Sequence, residues 1–230
     1  MELFFTPSSC INDETLELTD QEARHFAQVF RKREGDSFWV TDGEGTLYTA
    51  QCVSIGKRTV EARISKRTFT GQTPPHTILA IGVLKKKDRL ETAIEKAVEL
   101  GVSGIILLNT QHTEKGGISE QRLRSICISA IKQSQRVWLP AIHVNLKPDD
   151  VLRQFPDHRY IIAHEKGNDN TPIRELTTGS KDILFIGPEG GFSPSEVDMI
   201  RTSGGVIVSL GDYRLRAETA AIAGLSQLLI

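Results

Sequence analysis

The sequence has little of what marks secreted, membrane-spanning or fibrous chains. Its 230 residues include 3 cysteines, 2 tryptophans and 2 methionines, and aromatic residues make up 6%. Cys10, Cys52 and Cys127 are odd in number and widely spaced, with no Cys-x-x-Cys and no zinc-like pairing; this speaks against a disulfide framework and for a reducing compartment. No apolar run approaches the roughly 20 residues of a membrane span; the longest strongly apolar one runs from Ile78 to Leu84. The start, MELFFTPSSCINDE, lacks the basic opening and long apolar core of a signal peptide. The last helix candidate is interrupted by Glu218, Thr219 and Gln227, so it reads as a buried helix. The expectation is a soluble cytoplasmic protein with no membrane partner.

Catalytic signatures are also missing. His-Glu-x-x-His, Gly-x-Ser-x-Gly and the Walker loop are absent, and so is the Gly-x-Gly-x-x-Gly dinucleotide fingerprint. His25, His76, His112, His143, His158 and His164 show no metal-ligand spacing, and no metal is expected. An excess of one charge is lacking too: 28 Lys and Arg face 29 Asp and Glu, a net charge of −1. That excludes an evenly basic polyanion binder but not a local basic patch. The charge is in fact segregated, with a net +4 over 85–140 and another basic excess at Lys57, Arg58, Arg63, Lys66 and Arg67. Such clustering steers a polyanion to one face, though a charge run also serves simply as solvated surface.

What is present falls into two rhythms. Residues 1–70 read as mostly β, with Ser37–Asp42, Thr46–Val53 and Arg58–Ser65 as short strands and Asp42-Gly43-Glu44-Gly45 as a hairpin loop. Strands at this spacing predict a small barrel. One helix precedes them, with Asp20 as its cap and Ala23, Phe26, Ala27 and Phe30 at helical spacing. Residues 71–77, around Pro74-Pro75, read as a linker. From 78 to 230, strands alternate with helices. Ile78–Leu84, Gly104–Asn109, Arg159–His164, Ile183–Gly187 and Gly205–Leu210 are nearly continuous apolar runs, and Asp88–Leu100 and Ser119–Arg136 are amphipathic. This pattern predicts an α/β fold with a mainly parallel sheet.

Ligands of open α/β sheets sit beyond the carboxyl ends of the strands. Three such ends carry unusual residues: His164-Glu165-Lys166-Gly167; Ile186-Gly187-Pro188-Glu189-Gly190-Gly191-Phe192-Ser193; and Leu210 to Ala220. In the second, the glycines allow close backbone approach, and Ser193, Pro194 and Glu196 fit an N-cap, a first helical residue and a capping box. Such a turn serves structure as readily as binding. In the third, Arg214 and Arg216 precede Glu218 and Thr219, which suits binding of an anion or stabilisation of developing negative charge. A surface arginine beside a glutamate favoured by the helix dipole fits that loop equally well.

In order and spacing these blocks resemble the SPOUT methyltransferases, specifically the 16S rRNA (uracil-N3)-methyltransferase family. The resemblance also takes in His25-Phe26-Ala27-Gln28-Val29-Phe30-Arg31 with Gly35-Asp36, Lys87 to Glu91, Lys96 to Val102, and Gln133-Ser134-Gln135-Arg136 with Leu139-Pro140. Phe30, Lys132 and Ala217 depart from the family's usual Leu, acidic residue and Thr or Ser. The resemblance implies a PUA-like β-barrel followed by a trefoil-knotted α/β domain, S-adenosyl-L-methionine as cofactor, and a homodimer with each site near the subunit interface. It implies cofactor binding by His164, Ile186, Gly187, Pro188, Glu189, Gly190, Gly191, Leu210, Gly211, Leu215, Arg216 and Thr219.

The implied substrate is a uridine of 16S rRNA, free or in the assembled small subunit. Its N3 carries a proton at neutral pH, so a base or a cation near O2 or O4 must favour the ionised ring. Arg216 is the candidate charge stabiliser and Glu218 the candidate orienter or base; Glu189 is expected to position the cofactor loop. Arg24, His25, Arg31, Lys32, Arg33, Lys85, Lys87 and Arg136 are the candidates for RNA contacts. Two alternatives stand beside this reading: a SPOUT enzyme acting on another RNA position, and a non-catalytic RNA-binding assembly factor, for which Lys132 and Ala217 are the only support.

Overall fold

The computed structural model describes residues 2–113, 118–164, 171–176 and 181–230. The chain forms two compact units, Met1–Gln72 with Ile128–Leu139, and Thr73–Cys127 with Pro140–Ile230.

In the first unit, β1 (Leu3–Phe5), β2 (Thr15–Thr19), β3 (Ser37–Thr41), β4 (Thr46–Ile55) and β5 (Thr59–Phe69) form one sheet in the order β1-β3-β4-β5-β2. β1 runs parallel to β3, and the other neighbours are antiparallel. Alternation buries Val60 and Ala62 and leaves Glu61 in solvent. Register shifts at Thr49/Ala50 and Cys52/Ser54 bend β4 against β5, as bulges do, and the sheet curls into a half-barrel. Thr6, just after β1, donates its Oγ1 hydroxyl to Glu17 O in β2 at 2.6 Å and so joins the two edge strands.

The core of this unit is aromatic. The Phe4, Phe26 and Phe38 rings meet at centroid distances of 4.8–5.5 Å. The hairpin predicted at 42–45 forms: Asp42 Oδ1 accepts the Glu44 N–H at 2.7 Å, while Gly43 and Gly45 take positive φ of 76° and 102°. The expected helix is α1 (Asp20–Arg24), which runs on into a π-helical turn, His25–Val29. Asp20 does not cap it. With φ at 46° it is outside the extended geometry of a capping residue, and its carboxylate takes the Arg58 guanidinium instead.

In the second unit, β6 (His76–Gly82), β7 (Gly104–Leu108), β8 (Ala141–Leu146), β9 (Arg159–Ala163), β10 (Thr171–Pro172), β11 (Lys181–Ile186) and β12 (Val206–Ser209) form a sheet in the order β10-β12-β9-β11-β6-β7-β8. Every ladder is parallel. The strands alternate with α2 (Lys87–Leu100), α3 (Glu120–Ser134), α4 (Pro148–Gln154), α5 (Pro194–Thr202) and α6 (Ala217–Leu229). Ile81, Ile105, Ile106, Ile162 and Phe185 are fully buried, which is why these strands read as unbroken apolar runs. Each such side chain contributes about 1.5–3 kcal/mol on leaving water.

α2 buries Leu90, Ala93, Ile94, Ala97 and Val98, the predicted set, and ends at Gly101 with φ 110°. α6 lies close on β11 because Gly224 has no side chain: a Cβ there would stand 2.8 Å from Leu184 Cδ2. At the amino ends of the strands, Asp182 on β11 is fully buried and takes two hydrogen bonds of 2.9 Å from the guanidinium of Arg159, its register partner on β9.

Candidate active site

A wholly parallel sheet brings all its carboxyl ends to one edge, so the loops that follow β6, β7, β9, β11 and β12 share that edge. The loop after β11 folds sharply back on itself. Gly191 N–H donates to Pro188 O at 2.8 Å with φ at 70°, and a Cβ on Gly187 would stand 3.0 Å from Gly191 Cα. Pro188 is buried against β6; a Cβ on Gly82 would lie 2.5 Å from its Cδ. Glu189 is exposed, and its carboxylate accepts the Lys85 N–H at 3.2 and 3.4 Å, which ties this turn to the loop after β6.

The predicted capping box at the start of α5 is present. Ser193 Oγ accepts the Glu196 N–H at 3.3 Å, and Glu196 Oε2 accepts the Ser193 N–H at 2.8 Å. Glu196 does more than cap. Only 8% exposed, it also accepts the Gln111 N–H at 2.9 Å through Oε1. His112 stands beside it; its Nδ1–H donates to Gly191 O at 3.2 Å, and a Cβ on Gly190 would come within 2.9 Å of His112 Cβ. Gln111 and His112 were not among the expected site residues. They follow a strand as directly as the other loops do, and that position is the signal that finds them.

The loop after β12 is more open. Gly211 has φ 137°, and its N–H donates to Ser209 Oγ at 3.3 Å. Gly211 to Arg214 are exposed, Tyr213 at 87%. Leu210 packs toward α6, with its Cδ2 3.5 Å from where a Gly224 Cβ would stand. Leu215 is half-buried, and Thr219 is exposed in the first turn of α6. Arg216 is the exposed N-cap residue of α6, with Ala220 N–H donating to its carbonyl at 2.8 Å. Glu218 forms an ion pair with Arg89 of α2, Nε to Oε1 at 3.5 Å. A carboxylate held by a guanidinium is suited to orienting its neighbours. His164 is half-buried and continues the β9 ladder, donating its N–H to Val208 O at 3.2 Å. Glu165, Lys166 and Gly167 lie outside the described residues.

The candidate RNA contacts fall in both units. Arg24, Arg31 and Arg33 are exposed in the first, and Lys32 pairs with Glu2 at 3.2 Å. His25 and Arg136 are half-buried there. Lys85 and Lys87 are exposed in the second, between β6 and the first turn of α2. The unusual Lys132 has a partner of its own: Nζ bonds Glu22 Oε1, while Oε2 of the same carboxylate accepts the Phe5 N–H at 3.1 Å.

The chain matches the family described as RNA methyltransferase domain over residues 72–229 and the one described as RNA methyltransferase PUA domain over 18–65. It is similar to the ribosomal RNA small subunit methyltransferase E of Rickettsia conorii, 29% identical over 91% of this chain and 86% of that protein. The Bacillus subtilis protein of the same name is 26% identical over 92% and 88%. Among solved structures, a probable rRNA-methyltransferase from Porphyromonas gingivalis superposes with a TM-score of 0.86 at 32% identity, covering 98% of this chain and 95% of that one. The Neisseria gonorrhoeae ribosomal RNA small subunit methyltransferase E, bound to S-adenosyl methionine, does so with 0.84 at 27%, again over 98% and 95%.

Proposed function

The chain belongs to the RNA methyltransferase family, and from that premise we propose that it transfers a methyl group from S-adenosylmethionine to N3 of a uridine in 16S rRNA of the small ribosomal subunit. The observation that carries the reading is the pair of glycine-bearing loops after β11 and β12, at the edge where a parallel sheet binds its ligand.

These loops fit the cofactor. At Gly187 and Gly190 a side chain would collide with neighbouring atoms, so backbone groups form the surface there. Pro188, Glu189, Gly190 and Gly191 on one side and Leu210, Gly211 and Leu215 on the other would hold it, with Ile186, His164 and Thr219 at the margins. When bound, the cofactor supplies a methyl group on a sulfonium, already activated for transfer.

The remaining task belongs to the protein. Uracil N3 must lose its proton, and the charge that develops spreads to O2 and O4. Arg216, exposed at the N-cap of α6, stabilises that charge and lowers the cost of releasing the proton to solvent. Glu218 acts through Arg89, fixing the first turn of α6 from which Arg216 projects. Glu189 keeps its turn in place through the Lys85 N–H. The target base must leave its stack to reach these groups. Arg24, His25, Arg31, Lys32, Arg33, Lys85, Lys87 and Arg136 supply RNA contacts. The same family resemblance carries the trefoil knot, a homodimer and a cytoplasmic location as parts of this reading. Among the described residues no helix is long and apolar enough to cross a membrane, and no cluster suited to a metal ion occurs.

The test is Arg216→Ala against Arg216→Lys, read by single-turnover methyl transfer and by calorimetry with S-adenosylmethionine. Loss of one such charge-stabilising group is expected to slow transfer by about 10²–10³-fold. The lysine variant should recover part of the loss. Unchanged transfer by Arg216→Ala would remove the assigned role.

A further inference from the structure

We propose that a pocket of about 420 Å³ in the first unit receives an unpaired nucleobase of the RNA substrate. This rests on the RNA-methyltransferase reading and deepens it. The volume falls within the roughly 300–1,000 Å³ of small-ligand sites. One wall comes from the π-helical turn and the residue after it, with His25, Val29 and Phe30; the other comes from the end of α3, with Lys132, Gln133 and Gln135. All six lie in the same unit.

The chemistry of the lining selects its occupant. Both charged groups in it already have partners: Lys132 is paired with Glu22, and Glu2 with Lys32 at 3.2 Å. The uncommitted chemistry is neutral. Gln133 and Gln135 are exposed primary amides, each offering a donor pair and an acceptor, the pattern that reads the edge of a base. Phe30 is anchored edge-on against Phe4 at 5.5 Å yet remains 44% exposed, with Val29 beside it at 62%. An exposed aromatic ring with an imidazole nearby is a stacking platform for a base of any identity. Arg24 and Arg31, exposed and next in sequence to His25 and Phe30, supply cations for the flanking phosphates.

The backbone makes the same point. Gln135 closes α3 with φ at 57°, and Arg136 N–H donates back to Ile131 O at 2.9 Å. Glycine or asparagine is the unstrained choice at this helix-ending position. Arg31 likewise takes φ 51° just after Phe30. Gln135, which lines the pocket, and Arg31, next in sequence to the lining residue Phe30, thus both hold left-handed positions, and strain held in this way marks residues kept for their side chains.

The experiment uses the double variant Gln133→Ala with Gln135→Gly, at two lining residues that carry no other assigned contact. The substrate is small ribosomal subunits from a strain lacking the enzyme. The KM for subunits should rise about tenfold or more, the size expected when two hydrogen bonds to a base edge are lost. The affinity for S-adenosylmethionine and kcat at saturating subunits should hold. Thermal stability of the double variant should not fall, because glycine relieves the positive φ. Probing with base-edge reagents should show one unpaired base, other than the methylated uridine, protected by the unaltered protein and exposed with the double variant. An unchanged KM overturns the pocket, and so does a raised KM with every base protection intact. Failure of the unaltered protein to methylate these subunits at all would instead sink the functional reading, and the pocket with it.

Discussion

Replacing Glu196 with alanine should damage both the stability of the second unit and its affinity for S-adenosylmethionine. The Glu196 carboxylate is 8% exposed and holds two backbone donors, the Ser193 N–H at 2.8 Å and the Gln111 N–H at 2.9 Å. Hydrogen bonds to a charged acceptor are worth about 1.5–3 kcal/mol each, and removing the acceptor leaves the buried Ser193 N–H without this partner. The loss is therefore about 3–5 kcal/mol, tempered by any water that enters. Glu196→Gln keeps one acceptor oxygen and should cost about half as much. Urea unfolding followed by fluorescence measures the first quantity and calorimetry the second. Gln111 and Ser193 lie on the loops after β7 and β11, so loosening them should weaken cofactor binding about tenfold, even where the variant is fully folded. A stability change under about 0.5 kcal/mol would show that the network is ornamental. An unchanged cofactor affinity would show that these loops do not hold the cofactor.

Three further outcomes are expected. Arg159→Met leaves the fully buried Asp182 carboxylate without its guanidinium, and unfolding in urea should register a loss of about 3–5 kcal/mol; a loss below 1 kcal/mol would refute the assigned burial. Gly82→Ala places a Cβ 2.5 Å from Pro188 Cδ, so the turn after β11 must shift; about 1–3 kcal/mol of stability and most of the cofactor affinity should go, as calorimetry will show. Burial holds His158 below the ordinary value of 6.5, so it folds neutral and the unfolded chain takes up the extra proton. Stability should therefore be complete above pH 6.5 and fall as the pH drops below it; His158→Asn should flatten that slope, and an identical slope in the variant would refute the cause.

Much of the catalytic half was legible because the parallel strands are covered on both faces. Ile105, Ile106, Ile162 and Phe185 have no solvent side, so each strand reads as an apolar run. The same rule hides β8 (Ala141–Leu146): it is an edge strand, half-exposed along its length, with His143 and Asn145 breaking the run. β1 has three residues, too few for any period to show. The capping box of Ser193 and Glu196 is a local pattern and was readable. The second bond of Glu196, to Gln111, spans 85 positions and exists only after folding. The grouping of Ile128–Leu139 with the first unit is likewise tertiary, since α3 is one continuous amphipathic helix across that boundary. Lys132 looked like a departure from the family pattern; in three dimensions it is the partner of Glu22, 110 positions away.

The most direct measurement incubates the purified chain with S-adenosylmethionine and small ribosomal subunits lacking the modification, then digests the RNA to nucleosides for mass mapping. One N3-methyluridine at a single position of 16S rRNA, formed only when S-adenosylmethionine is present, is the expected result. No methylated nucleoside, or a methyl group on another base or on a ribose oxygen, would contradict it.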